Sequence, residues 1–313
     1  MTLALLATSH SPLLEYADLD KEVADELEQN FDIARKFVAD YDPDVVINFG
    51  PDHYNGFFYN LMPAFCIGYA ATSIGDYGSQ AGPLNVPEDL ARSLAEAVIA
   101  DGIDLSVSLQ MEVDHGAVQP MEIVYGDITA KPFVPIFINS VAPPFTPVQR
   151  VRQLGESVGR HLATLDQKVL LIASGGLSHD PPVPRIATAT EQQRRMLMGE
   201  GGPLSPEARV VRQQRVIQAA KDFAAGTATI QELAPEWDRE FLEIVASGDL
   251  TPLDAWSPDE MTRIAGNSSH EVRTWIAGYA AMSAAGSYTV THSYYRPIKE
   301  LIAGFALTTV TLD

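Results

Sequence analysis

Short apolar runs alternate with segments of helical length through the first half of the chain, and that rhythm leaves few folds open. Leu3–Ala7 reads as a strand. Lys21–Asp40 reads as a helix whose apolar positions Val23, Leu27, Phe31, Ala34 and Val38 recur at spacings of three and four. Asp44–Phe49 is a second run rich in β-branched residues, closed by Gly50–Pro51. Phe57–Tyr69 supplies another strand or two. Pro87–Ala100 is helical, with Glu88 and Asp89 in the first turn, where the helix dipole favours anions. Leu105–Leu109, Phe133–Asn139 and Lys168–Ala173 are further strand candidates, and Val148–Leu165 is a helix between the last two. Parallel strands need long crossovers, which helices of this length provide. The expected fold is therefore α/β, with a mainly parallel central sheet flanked by helices on both faces.

Beyond Arg185 the pattern changes. Glu191–Met198, Ser205–Ala224, Gln231–Ser247, Ser257–Ile264 and Ser269–Ala284 all favour helix, so the C-terminal part is expected to be helix-rich, closed by the segment Tyr294–Thr311. Gly199–Gly202 marks a loop. No Gly-, Ser- or Pro-rich linker divides the chain, and residues 1–313 read as one domain.

Composition narrows the partners. The chain carries 21 Lys and Arg against 41 Asp and Glu, a net charge of −20. Such a surface repels nucleic-acid phosphates and anionic lipid headgroups. The apolar N-terminal stretch as far as Ser11 is too short to span a bilayer, and no later stretch is long and apolar enough. The single cysteine, Cys66, rules out an intrachain disulfide and any thiolate metal cluster, and its neighbours Phe65 and Ile67 place it in a core. The expectation is a cytoplasmic protein acting on a small molecule.

Histidine is the informative residue. His10 follows the first strand, in Thr8-Ser-His-Ser-Pro. His53 follows the Asp44–Phe49 strand, in Pro51-Asp-His-Tyr-Asn-Gly. His115 lies in Val113-Asp-His-Gly, beyond Leu105–Leu109. His179 lies in Ser174-Gly-Gly-Leu-Ser-His-Asp, past Lys168–Ala173. If these strands are parallel, all four imidazoles gather outside the carboxyl ends of one sheet, where open α/β sheets bind their ligands. Neutral imidazole binds Zn, Fe, Cu and Ni, and two His with one carboxylate leave open positions on an octahedral Fe(II). The remaining histidines would be free for proton transfer. The carboxylate is less readily read: Asp52, Asp114 and Asp180 each adjoin a clustered His, and sequence neighbours seldom reach the same ion. Glu271 opens a helix, where it could equally serve the helix dipole. His270 reads as solvent-facing or structural, and His161 as a surface residue. Gly-x-Ser-x-Gly, Gly-x-Gly-x-x-Gly and Walker A patterns are absent from the sequence. An iron oxygenase, a zinc hydrolase and a non-catalytic binding protein could all be built on such a cluster.

Over essentially its whole length the chain resembles the class III extradiol ring-cleaving dioxygenases, the family of the protocatechuate 4,5-dioxygenase β subunit. Its markers are Ser9-His-Ser-Pro-Leu, Pro51-Asp-His-Tyr-Asn-Gly-Phe-Phe-Tyr, Val113-Asp-His-Gly, Ser174-Gly-Gly-Leu-Ser-His, Ser269-His-Glu and Tyr294-Tyr-Arg-Pro-Ile. The resemblance implies that His10, His53 and Glu271 bind Fe(II). It further implies that His179 takes a proton from a catechol hydroxyl and that His115 donates one later in the reaction. Catechol and O₂ would be the substrates, and a homo-oligomer the working form. The likeness is greatest to members that act on catechols with a three-carbon carboxylate side chain. That carboxylate would need a local cation, for which Arg296, Arg185 and Arg273 are candidates.

Overall fold

The structure is a computed structural model in which residues 3–200, 202 and 205–313 are described. The elements run β1 (Leu3–Thr8), α1 (Lys21–Tyr41), β2 (Val45–Gly50), β3 (Phe65–Gly68), β4 (Ala71–Ile74), β5 (Ala81–Pro83), α2 (Glu88–Ala100), β6 (Ser106–Ser108), β7 (Met111–Val113), α3 (His115–Tyr125) and β8 (Phe133–Ile138). They continue with α4 (Val148–Leu162), β9 (Val169–Ser174), α5 (Glu191–Leu197), α6 (Pro206–Ala224), α7 (Pro235–Ser247), α8 (Pro258–Ala265), α9 (Val272–Ala285), β10 (Tyr288–Ile298) and β11 (Ala303–Leu312).

Eight strands form one sheet in the order β10-β11-β1-β9-β2-β8-β3-β6. Its centre is parallel: β1 pairs with β9, β9 with β2, and β2 with β8. Every residue of these four strands is buried, as a strand covered on both faces must be, and their near-continuous aliphatic sequence follows from it. Leu3, Leu5 and Ala7 point into a core shared with α2, α4 and α9. Ala4 and Leu6 point into a second core with α1, α3 and α6. The α/β expectation holds. The closing segment is a long antiparallel hairpin, β10 on β11, that adds to β1 and joins the chain's two ends in one sheet. Two elements were not anticipated: helix α3, and a separate small sheet in the order β5-β4-β7. α7 starts at Pro235, not at Gln231, because proline's missing N–H is tolerated in a first helical turn.

The packing of α9 decides where the site lies, because Glu271 immediately precedes that helix. Gly155 and Gly159, one turn apart on α4, meet Ala277 and Ala281 of α9 so closely that a β-carbon at 159 would stand 2.1 Å from the Ala281 carbonyl oxygen. Gly159→Leu must therefore push the helices apart. A loss of about 3 kcal/mol is expected, at the upper end of overpacking costs, measured by denaturant unfolding against the parent chain.

Candidate metal centre and substrate cavity

The three central parallel strands β1, β2 and β9 end side by side, with Thr8 opposite Ser174 and Phe49 opposite Ala173. The chain leaving each strand carries one histidine: His10, His53 and His179. His115 arrives by another route. It does not follow β6, the edge strand of the main sheet; it is the first residue of α3, just past β7 of the small sheet. The sequence-based expectation that four strand ends of one sheet supply the histidines thus holds for three, and the small sheet delivers the fourth. All four still converge. The ring centroids of His10 and His53, and of His10 and His115, lie 5.4 Å apart, and His53 stacks on His115 at 4.7 Å.

Each imidazole is oriented through Nδ1. His10 Nδ1 bonds the Ser174 hydroxyl at 3.0 Å, His53 Nδ1 the Asp114 carboxylate at 3.1 Å, His115 Nδ1 the Asp76 carboxylate at 2.6 Å, and His179 Nδ1 the Leu177 carbonyl at 2.9 Å. Nε2 is left for the centre. Glu271 lies there: its oxygens are 3.1 Å from Nε2 of His53, 3.1 Å from Nε2 of His179 and 3.5 Å from Nε2 of His10. The Gly176 N–H donates to the same carboxylate at 2.9 Å, and a β-carbon on Gly176 would stand 2.9 Å from the His179 ring, so only glycine fits that turn.

The electrostatics favour a cation. Glu271 is almost wholly buried. Burial alone would raise its pKa, but His179, His10 and His53 hold it well below the usual carboxylate range. Asp114, also buried, is lowered likewise: burial opposes ionisation, and His53 and His115 outweigh it. No Lys or Arg pairs with either carboxylate among the described residues. Two buried negative charges without such partners call for positive charge in the same place. His53 is raised well above its ordinary value, because Asp114 and Glu271 overcome burial, and Glu271 raises His179 in the same way. Burial pushes His10 down to about 3, which keeps it neutral with a free lone pair. Imidazole nitrogens whose other ring nitrogen is held by a carboxylate or hydroxyl, together with a carboxylate, form the donor set of a divalent transition metal. Ring nitrogens of His10, His53 and His115 also lie within 4.8 Å of one another, so a second combination of donors is geometrically open.

Sequence reasoning missed two carboxylates. Asp114 was set aside because it adjoins His115, yet it serves His53. It caps α3 through the Gly116 N–H and accepts from the N–H and Nδ1 of His53 and from Asn55. An Asp directly before an apolar helical run is a capping signal that could have marked it. Asp76, which holds both the N–H and the ring of His115, carried no such signal. Asp52 accepts the N–H groups of Asn55, Gly56 and Phe57 and so fixes the turn bearing His53. His270 is fully buried against Phe145 and bonded to Thr262, not solvent-facing. His161 is partly exposed at the end of α4, bonded to Ser93.

The centre opens into a cavity of about 540 Å³ lined by the four histidines, Glu271, Tyr77, the prolines 181, 182 and 184, and one side of α6. None of the three arginines anticipated for it lines the cavity. Arg296 pairs with Glu26 and Glu22 of α1, Arg185 with Asp180, and Arg273 is buried under Phe145, donating to the Thr146 carbonyl. The arginines that do line it are Arg209, Arg212 and Arg215, all on α6. Their spacing of three residues was the available signal.

Fold and site together define an α/β enzyme whose histidine-rich, potentially metal-binding pocket sits at the carboxyl ends of its parallel strands. The family model described as the catalytic LigB subunit of aromatic ring-opening dioxygenase matches residues 4–306. The chain belongs to that family and is an extradiol dioxygenase. A Rhodococcus globerulus protein named 2,3-dihydroxyphenylpropionate/2,3-dihydroxicinnamic acid 1,2-dioxygenase is 58% identical over 312 residues, covering 100% of this chain and 99% of the relative. Relatives of the same name from Rhodococcus rhodochrous and Mycolicibacterium smegmatis are 56% and 51% identical, covering 100% and 99% of this chain and 99% and 98% of theirs. The crystal structure of an uncharacterized protein from Escherichia coli K12 superposes with a TM-score of 0.50 at 14% identity, covering 97% of this chain and 98% of that one, and shares the fold. Among the described residues no helix is long and apolar enough to cross a membrane.

Proposed function

We propose that the chain uses Fe(II) and O₂ to open the ring of 2,3-dihydroxyphenylpropionate beside its diol, giving 2-hydroxy-6-oxonona-2,4-dienedioate, and that it also accepts 2,3-dihydroxycinnamate. The observation that carries this reading is the convergence of three imidazole Nε2 atoms, from His10, His53 and His179, on Glu271 in one cavity, with His115 stacked on His53 beside them. The names of the full-length relatives support the choice of substrate.

His10, His53 and Glu271 hold the metal in this reading, and all 313 residues serve one catalytic domain. Bound there, Fe(II) would supply Lewis acidity for the catechol oxygens and an electron for O₂. His179, its Nδ1 bound to the Leu177 carbonyl, uses Nε2 to take a catechol hydroxyl proton. His115, stacked on His53, donates a proton through Nε2 as the ring opens. Asp76 fixes its tautomer and ring plane. Pro181, Pro182 and Val183 give the cavity an apolar wall.

Asp76→Asn removes the anion that orients His115. The expected outcome is an iron content equal to the parent's with kcat about 100-fold lower, read by metal analysis alongside steady-state rates. The test of the whole reading is anaerobic loading with Fe(II), then oxygen uptake while the yellow ring-opened product forms. One O₂ per catechol is expected. Turnover with Zn(II) and no oxygen uptake would overturn it in favour of a hydrolase.

A further inference from the structure

In a chain of net charge −20, most cations at the surface are spoken for. Arg35 lies against Glu28, Arg92 against Glu88, Arg152 against Asp254 and Arg296 against Glu26. The three arginines of α6 that line the cavity are different. Among the described residues none of them pairs with a carboxylate. Arg209 donates to the Ile74 carbonyl at 3.0 Å and its Nε has no partner. Arg212 donates one Nη to the carbonyl of His53. Arg215, exposed one turn further along, makes no hydrogen bond or ion pair among the described residues.

The two carboxylates on the cavity wall, Asp76 and Glu271, are occupied by His115 and by His10, His53 and His179. The unneutralised charge facing the cavity is therefore positive and comes from one side, α6. The rest of the chain repels anions at long range, so an anionic substrate depends on this local field. From the geometry we infer that Arg212 and Arg215 form the subsite for a carboxylate on the side chain of the catechol, and that this subsite selects acidic catechols over neutral ones. The inference rests on the ring-cleavage reading for its substrate class. Arg212 is anchored beside a proposed metal ligand, so its fork is positioned relative to the diol, and its Nε and second Nη remain for a carboxylate. Arg215 lies three residues on, on the same helix face, where it can take the other carboxylate oxygen. Val211, Val216 and Pro181 give the intervening carbons apolar wall.

Two readouts test the subsite. The first needs neither metal nor turnover: isothermal titration of the whole protein, without added metal, with 3-phenylpropionate and with neutral 3-phenylpropanol. Arg215→Ala should weaken phenylpropionate about tenfold and the double variant with Arg212→Ala about 100-fold, with phenylpropanol unmoved. Arg212→Lys should recover part of the loss, since a point charge replaces a fork. The second is the ratio of kcat/KM for the propionate-bearing catechol to that for 3-propylcatechol, which should fall by the same factors. Equal losses on charged and neutral ligands, no losses, or no binding of phenylpropionate by the parent would overturn the inference. Arg215→Ala removes an exposed side chain with no hydrogen bond or ion pair among the described residues, so a folding defect in Arg212→Ala leaves the test decisive. A parent that binds phenylpropionate through these arginines yet opens no ring would refute the ring-cleavage reading and leave the anion subsite standing.

Discussion

Glu271→Ala is expected to lose iron and ring cleavage together if the proposed ligand set holds the metal. Its carboxylate stands within 3.1–3.5 Å of three imidazole nitrogens and is held ionised in a buried place, so no other side chain can replace its charge there. Iron affinity is expected to fall more than about 100-fold, beyond what loss of an outer hydrogen bond to a ligand costs. His10→Ala and His53→Ala should behave alike. Metal analysis after anaerobic reconstitution is the measurement. The alternative donor combination of His10, His53 and His115 predicts the reverse pattern: Glu271→Ala would keep iron and His115→Ala would lose it.

His179→Gln should keep iron and lose turnover by about 10²–10⁴-fold, the usual worth of a positioned general base. Glutamine retains the size and a hydrogen-bonding end but accepts no proton at neutral pH. The contrast is informative because His179 Nε2 is as near to Glu271 as His53 Nε2 is, at 3.1 Å each. Distance alone does not separate base from ligand. Nor does the partner at Nδ1, because carboxylates and backbone carbonyls both stand behind metal-bound imidazoles: His53 leans on Asp114 and His179 on the Leu177 carbonyl. Iron lost from His179→Gln would reverse the division of labour between them.

The two readings differ in how far along the chain their causes lie. Strands β1, β2, β8 and β9 were legible because a strand buried on both faces must be apolar along its length, a property of a few adjacent residues. His10, His53 and His179 were legible for the same reason, since each stands just past such a strand. The arginines proposed first for the cavity failed because spacing along the chain says nothing of partners: Arg296 meets Glu26 from 270 residues away.

By itself, then, the sequence determined the α/β alternation, the strand ends bearing three histidines and the family likeness, all carried by residues close together in the chain. Only the tertiary structure decided that the small sheet, not an edge strand, delivers His115, that Asp76 and Asp114 orient the imidazoles, and that α6 turns its arginines toward the centre. Those contacts join residues 39, 61 and 159 positions apart. Long-range pairings of this kind are set by how the apolar faces of the sheet and helices pack, and a hydrogen bond across such a distance leaves no periodic trace in the chain.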